Sequence, residues 1–226
     1  MRPKERGGAG RSPRRRERGP AVAVPSLSAH LGAQRARRLE ERVESAARAF
    51  AADRFIDARR ILKPIVDEVP GVAELQELYG LTLYRLGKWR QAAEHLEQFS
   101  LLAHGSVEQH PVLEDCYRAL GRHHKVDELW DELRRASPSA ELVTEGRIVA
   151  AGSLADRGDL PGAITLLAKG FRFPRQPADH HLRRAYALAD LYERSGDLPQ
   201  ARQLFGRLAA AEPDFVDVEE RLEALG

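Results

Sequence analysis

The 226-residue chain has one cysteine, Cys116, one methionine, and aromatic side chains at only 6% of its positions. A lone thiol excludes an internal disulfide framework and any zinc centre built from several cysteines, and it fits a reducing, cytoplasmic setting. Long apolar runs are missing too, with no stretch approaching the roughly 18 residues of a membrane span. The segment "PAVAVPSLSAHLGA", behind an arginine-rich start, has the outline of an export signal. Pro25 and His30 interrupt it before it reaches the roughly 7 to 15 apolar residues such a signal needs. Lysine is scarce, since 31 of the 36 basic residues are arginine. GC-rich codons produce that bias unaided, so arginine abundance by itself is no sign of nucleic-acid contact. What remains, 42% apolar and 31% charged in 25.2 kDa, is the profile of a soluble protein with material for a sizeable core.

Charge is polarised along the chain. Residues 1–30 carry eight basic and two acidic side chains, about +6, against −4 for residues 31–226. The first thirty residues also hold four Pro, four Gly and few large apolar side chains, so they cannot offset the entropy of ordering and are expected to be a disordered tail. Arg11, Arg14, Arg15, Arg16 and Arg18 form the densest part of it. Such a cluster can neutralise phosphates and attach the chain to nucleic acid or a ribosome, although no aromatic residue is interleaved to stack on bases. A solubilising appendage fits the same composition.

Two ten-residue strings, "GDLPGAITLL" from Gly158 and "GDLPQARQLF" from Gly196, stand 38 residues apart. Each places Gly at a helix end and Pro at the start of the next helix, which is the corner of a helical hairpin. Five residues after each Gly comes an alanine, Ala163 or Ala201, and four residues later a large apolar side chain, Leu167 or Phe205. Earlier copies are "GKWRQAAEHL" with Ala92 and Leu96, "GRHHKVDELW" with Val126 and Trp130, and "RFIDARRIL" with Ala58 and Leu62. The small positions fall at 58, 92, 126, 163 and 201, spacings of 34, 34, 37 and 38. A period of about 34 residues is that of a hairpin array. Upstream helices carry matching stripes, such as Leu75, Leu78, Tyr79, Thr82 and Leu83, or Leu182, Ala185, Leu188, Ala189 and Tyr192.

These residues resemble the tetratricopeptide repeat family. Its motif combines a small residue and then Tyr or Leu in the first helix with Ala and then a large apolar residue in the second, and a late Pro. Gly80, Leu83, Ala92 and Leu96 match it in repeat two; Tyr117, Val126, Trp130 and Pro138 in repeat three; Ala189, Tyr192, Ala201, Phe205 and Pro213 in repeat five. The chain as a whole, tail included, also resembles a group of short actinobacterial repeat proteins. Glu114 stands where a small residue is usual, and Gly170 falls where the second helix of repeat four should still run. That helix is expected to stop early, leaving "KGFRFPRQPADHH" as a longer linker, with Asp179 capping the next helix.

The expected fold is therefore all-α, a right-handed α-solenoid with a disordered tail over 1–30 and a repeat domain over 31–226. Its repeats span about 39–72, 73–106, 107–143, 144–181 and 182–213, and a capping helix over 214–226 turns Phe215, Val218, Leu222 and Leu225 to one face. The first helices of such an array line its concave side. By register that side carries Glu77, Tyr84 and Arg85, with Leu81 between them, then Asp115 and Arg118, then Ile148 and Gly152, then Arg183, Tyr186, Asp190 and Arg194. Two tyrosines among mixed charges suit an extended peptide or a helix of a partner protein; a solvated inner wall is the plainer reading. Family members that grip a chaperone's C-terminal carboxylate use Lys and Asn at positions occupied here by Val43, Ala47, Leu78, Glu108 and Val112, so that activity is not expected.

No constellation points to catalysis, a cofactor or a metal. His123 and His124, like His180 and His181, are adjacent in sequence and so lie about 100° apart around a helix. Cys116 lies in an apolar stripe without an evident histidine base. The expected function is a non-catalytic, cytoplasmic protein-interaction adaptor. The alternative is a factor tethered to nucleic acid or the ribosome by its arginines.

Overall fold

The structure, a computed structural model, describes residues 25–226. Among these, eleven helices follow in order: α1 (Ala33–Ala51), α2 (Phe55–Glu68), α3 (Ala73–Arg85), α4 (Trp89–Leu102), α5 (His110–Ala119), α6 (His123–Ala136), α7 (Ala140–Asp156), α8 (Leu160–Ala168), α9 (Asp179–Ser195), α10 (Leu198–Ala211) and α11 (Val218–Ala224). Consecutive pairs form five antiparallel hairpins. The second helix of each hairpin packs on the first helix of the next, and α11 closes the end against α10. Each hairpin leaves an apolar face that only its neighbour covers, so the array is stabilised by stacking.

The corners form for the reasons the sequence suggests. Gly87, Gly121, Gly158 and Gly196 all have positive φ, from 68° to 86°, the left-handed conformation in which a Cβ would be strained. At the last two corners Asp159 accepts from the Gly162 amide at 2.9 Å and Asp197 from the Gln200 amide at 3.3 Å, each capping a helix whose second residue is proline. The small residues permit close helix approach. A Cβ on Gly80 would lie 2.8 Å from Leu96 Cδ2, and Ala58, Ala92, Ala163 and Ala201 are wholly buried.

The buried apolar side chains fall into two groups. One runs from Leu27 to Ala150 and the other from Ala151 to Val218, so α7 contributes to both. Phe215, Leu222 and Leu225 pack around buried Val218 against the second group, as the capping-helix pattern implies.

Several boundaries differ from expectation. Leu27, within the segment expected to be tail, is wholly buried, its amide donates to Glu40 Oε1 at 2.7 Å, and the turn it starts leads into α1. The tail arginines Arg11, Arg14, Arg15, Arg16 and Arg18 lie outside the described residues. Helix α7 starts at Ala140, where Ser139 Oγ accepts from the Leu142 amide at 3.1 Å. Asp179 does not cap α9 but is its first residue, following Ala178. The early stop after repeat four is present: α8 ends at Ala168 and Gly170 turns with φ 68°.

Candidate functional site

The side chains expected on the inner wall are joined to one another from helix to helix. Tyr84 of α3 donates its hydroxyl proton to Asp115 of α5 at 2.8 Å. Arg118, one turn along α5, bonds back to Asp115 at 3.3 Å and forward to Asp156 at the end of α7 at 2.6 Å. Glu77 accepts from Gln109 at 2.8 Å, one hairpin on. Arg85 reaches back instead, to Asp53 after α1 at 3.2 Å, with its guanidinium 4.3 Å above the Phe55 ring.

The second half repeats this arrangement. Arg183 of α9 bonds Glu145 of α7 at 3.3 Å and Asp179 at 2.8 Å. Tyr186 donates to Asp217 at 2.6 Å, just before α11, and meets Phe205 and Phe215 edge to ring. Asp190 and Glu193 share Arg221 of α11, at 3.0 and 2.7 Å. The two tyrosines therefore make the same bond, each to an aspartate 31 residues further on.

Electrostatics follow from the pairing. Burial raises the Tyr84 and Tyr186 hydroxyls above their ordinary range and the neighbouring aspartates raise them further, so both remain donors. Burial raises Glu77 as well, partly offset by the Gln109 bond. The two carboxylates that bond Arg221 hold it above its usual value against the opposing effect of burial.

Not every expected residue faces this wall. Leu81 turns into the core, 9% exposed, and Gly152 is occupied in effect by its neighbour, since a Cβ there would stand 3.0 Å from the Arg118 guanidinium carbon. The partners Gln109, Glu145, Asp156, Asp217 and Arg221 were not among the expected residues. Their signal is a complementary polar residue about one repeat away, visible only once the repeat register is fixed.

The remaining polar candidates are accounted for by packing. Cys116 is wholly buried, and burial pushes its thiol up to about 12, the behaviour of a core side chain. His123 bonds Ser153 at 2.9 Å, while the His180 and His181 rings lie 3.9 Å apart. Among the described residues no group of three His, Cys, Asp or Glu side chains could hold a metal ion, and no helix is long and apolar enough to cross a membrane.

This geometry, stacked hairpins with their first helices bonded in series, is that of a tetratricopeptide-repeat solenoid. TTC0263, a thermophilic TPR protein of Thermus thermophilus, is similar in structure, with a TM-score of 0.61 at 17% identity over 83% of this chain and 98% of that one. The TPR-like repeats of a Podosopora anserina protein give 0.59 at 17% identity, over 77% and 95% of the two chains. YrrB, described as a TPR protein with an unusual peptide-binding site, gives 0.52 at 15% identity, over 80% and 90%. The sequence matches no protein-family model and no curated protein.

Proposed function

We propose that the chain is a protein-interaction adaptor whose first-helix wall receives an extended peptide or a helix of a partner protein. The observation that carries this reading is the series of bonds from Tyr84 through Asp115 and Arg118 to Asp156, continued by Tyr186 with Asp217 and Asp190 with Arg221. Side chains fixed in this way lose little further freedom when a ligand arrives, which lowers the entropic cost of binding. Partly exposed tyrosine rings beside charges of both signs supply apolar contact and hydrogen bonding together. The peptide-binding description of YrrB, a protein of similar fold, agrees with this use of the wall. Attachment to nucleic acid or a ribosome would depend on arginines outside the described residues and gains no support from the wall.

Peptides selected from a random library on the full chain test the proposal. Selected peptides should bind Tyr84→Ala and Tyr186→Ala variants at least about tenfold more weakly, a loss near 1.4 kcal/mol. A selection yielding only peptides indifferent to both substitutions, in variants that melt as cooperatively as the parent, would remove the wall as the binding surface.

A further inference from the structure

Helix α8 stops after 9 residues, whereas α2, α4, α6 and α10 each run for 14. Five missing residues amount to about 7.5 Å of helix. Beside the place they would occupy is a cavity of about 510 Å³, lined by Trp130, Asp131 and Arg134 of α6, Arg147 of α7, and Leu166 and Lys169 at the end of α8.

The charges around this cavity do not cancel. Arg134 is held by Asp131 at 2.8 Å. Among the described residues, Arg147, Lys169 and the neighbouring Arg184 of α9 have no carboxylate within ion-pair distance. Arg147 Nη1 and Arg184 Nη2 instead donate to the same oxygen, the Lys169 carbonyl, at 3.2 and 2.7 Å. Two guanidinium groups thus meet across one neutral acceptor. The linker that follows, from Gly170 to Ala178, adds Arg172 and Arg175 and contains no acid.

Helix capping explains Arg184. Its Nε and Nη2 reach the Leu167 carbonyl at 2.9 and 2.7 Å and satisfy an acceptor that the early stop leaves open. Capping explains Arg147 only in part, since its Nη1 reaches the Lys169 carbonyl at the end of α8 but its Nε does not. Its guanidinium lies 5.5 Å over the Trp130 ring, and its Nε is buried with no hydrogen-bond partner among the described residues. Burial lowers Arg147, and burial together with the Arg147 charge lowers Arg184 to about 10, the expected result when cations are gathered without a counter-ion.

We propose that this cavity is a binding site for a dianionic phosphoryl group, held by Arg147 and Lys169 with Arg184 behind them. A single carboxylate would cancel one of three positive charges, whereas a phosphoryl group brings close to two negative charges and three acceptor oxygens, and guanidinium forks match its geometry. The group can arrive as free phosphate or on a phosphorylated side chain.

Calorimetric titration of the full chain at low ionic strength decides the matter, with inorganic phosphate, a short phosphoserine peptide and acetate as separate titrants. Inorganic phosphate should bind one site, and Arg147→Gln and Lys169→Gln should each weaken it at least about tenfold, the worth of one charge-assisted bond. Arg134→Gln, whose guanidinium is already engaged, should change it less than about threefold. A phosphoserine peptide binding more tightly than inorganic phosphate assigns the site to phosphorylated chains; weaker binding assigns it to free phosphate. Lys169 is exposed, so its substitution keeps the experiment readable even where Arg147→Gln disturbs folding. The proposal is overturned by absence of saturable phosphate binding, by acetate binding as tightly, or by full binding in Lys169→Gln.

Discussion

Glu114 offers the sharpest quantitative test of the packing. The side chain lies on α5 with no solvent exposure, and neither carboxyl oxygen has a hydrogen-bond partner among the described residues. Burial, with a smaller contribution from the Asp115 charge, raises its pKa from 4.5 to about 9. Above pH 4.5 the unfolded chain therefore releases a proton that the folded chain keeps. Unfolding is favoured by rising pH until the folded carboxyl itself ionises, at about 9. Each pH unit in that window costs the fold about 1.4 kcal/mol, so by about pH 7 the loss is about 3 kcal/mol. For a domain of this size that is roughly 6 to 12 °C in melting temperature. Glu114→Gln keeps the shape and removes the titration. Denaturant unfolding of both proteins from about pH 5 to about pH 8.5 should show the variant gaining on the parent by about 1.4 kcal/mol per pH unit. The amide adds its own burial cost, but that cost is constant with pH and does not alter the slope. Parallel curves for the two proteins would refute a neutral, buried Glu114.

Three further substitutions probe the packing. A Cβ on Gly146 of α7 would overlap Leu133 Cδ2 and stand 3.1 Å from Glu114 Oε1, so Gly146→Ala should cost about 1 to 3 kcal/mol in denaturant melts. Gly206 of α10 has nothing among the described residues within 4 Å of that position, and Gly206→Ala should instead stabilise by about 0.4 to 1 kcal/mol. Leu27→Ala should cost about 2 to 5 kcal/mol by the same measurement, and a loss below about 0.5 kcal/mol would show that the segment before α1 contributes nothing to the core.

The fold was legible because its signals are local. Gly158 and Gly196 each close one helix, the prolines after them open the next, and the alanines five residues on mark where axes approach; every feature lies within a dozen residues of the others. The irregular third repeat was legible only in part. Glu114 stands out as a large residue in a small-residue position, but what accommodates it is Gly146, in the next repeat, and an exchange of volume between neighbours leaves no trace within either one. Leu27 lay hidden for a related reason, since apolar residues in a stretch interrupted by Pro25 and His30 carry no period. Register alone names the side chains expected on the wall. That those side chains hold one another depended on Asp156, Asp217 and Arg221, which lie outside the first helix of the repeat that needs them. The cationic cluster was less visible still: the early stop at Gly170 could be read, but Arg147 and Arg184 meet only because α7 and α9 are brought together around the end of α8.

The division of the interior along α7, with Ala150 in one group of buried side chains, Ala151 in the other and Leu166 touching both, is expected to set how the molecule comes apart. A stack with a continuous filling tends to fail as one body, whereas here the helices beyond α7 should peel away first while those before it keep their own oil sealed. Amide protons in α9 and α10 should then exchange with solvent by a cheaper opening than those in α3 and α4.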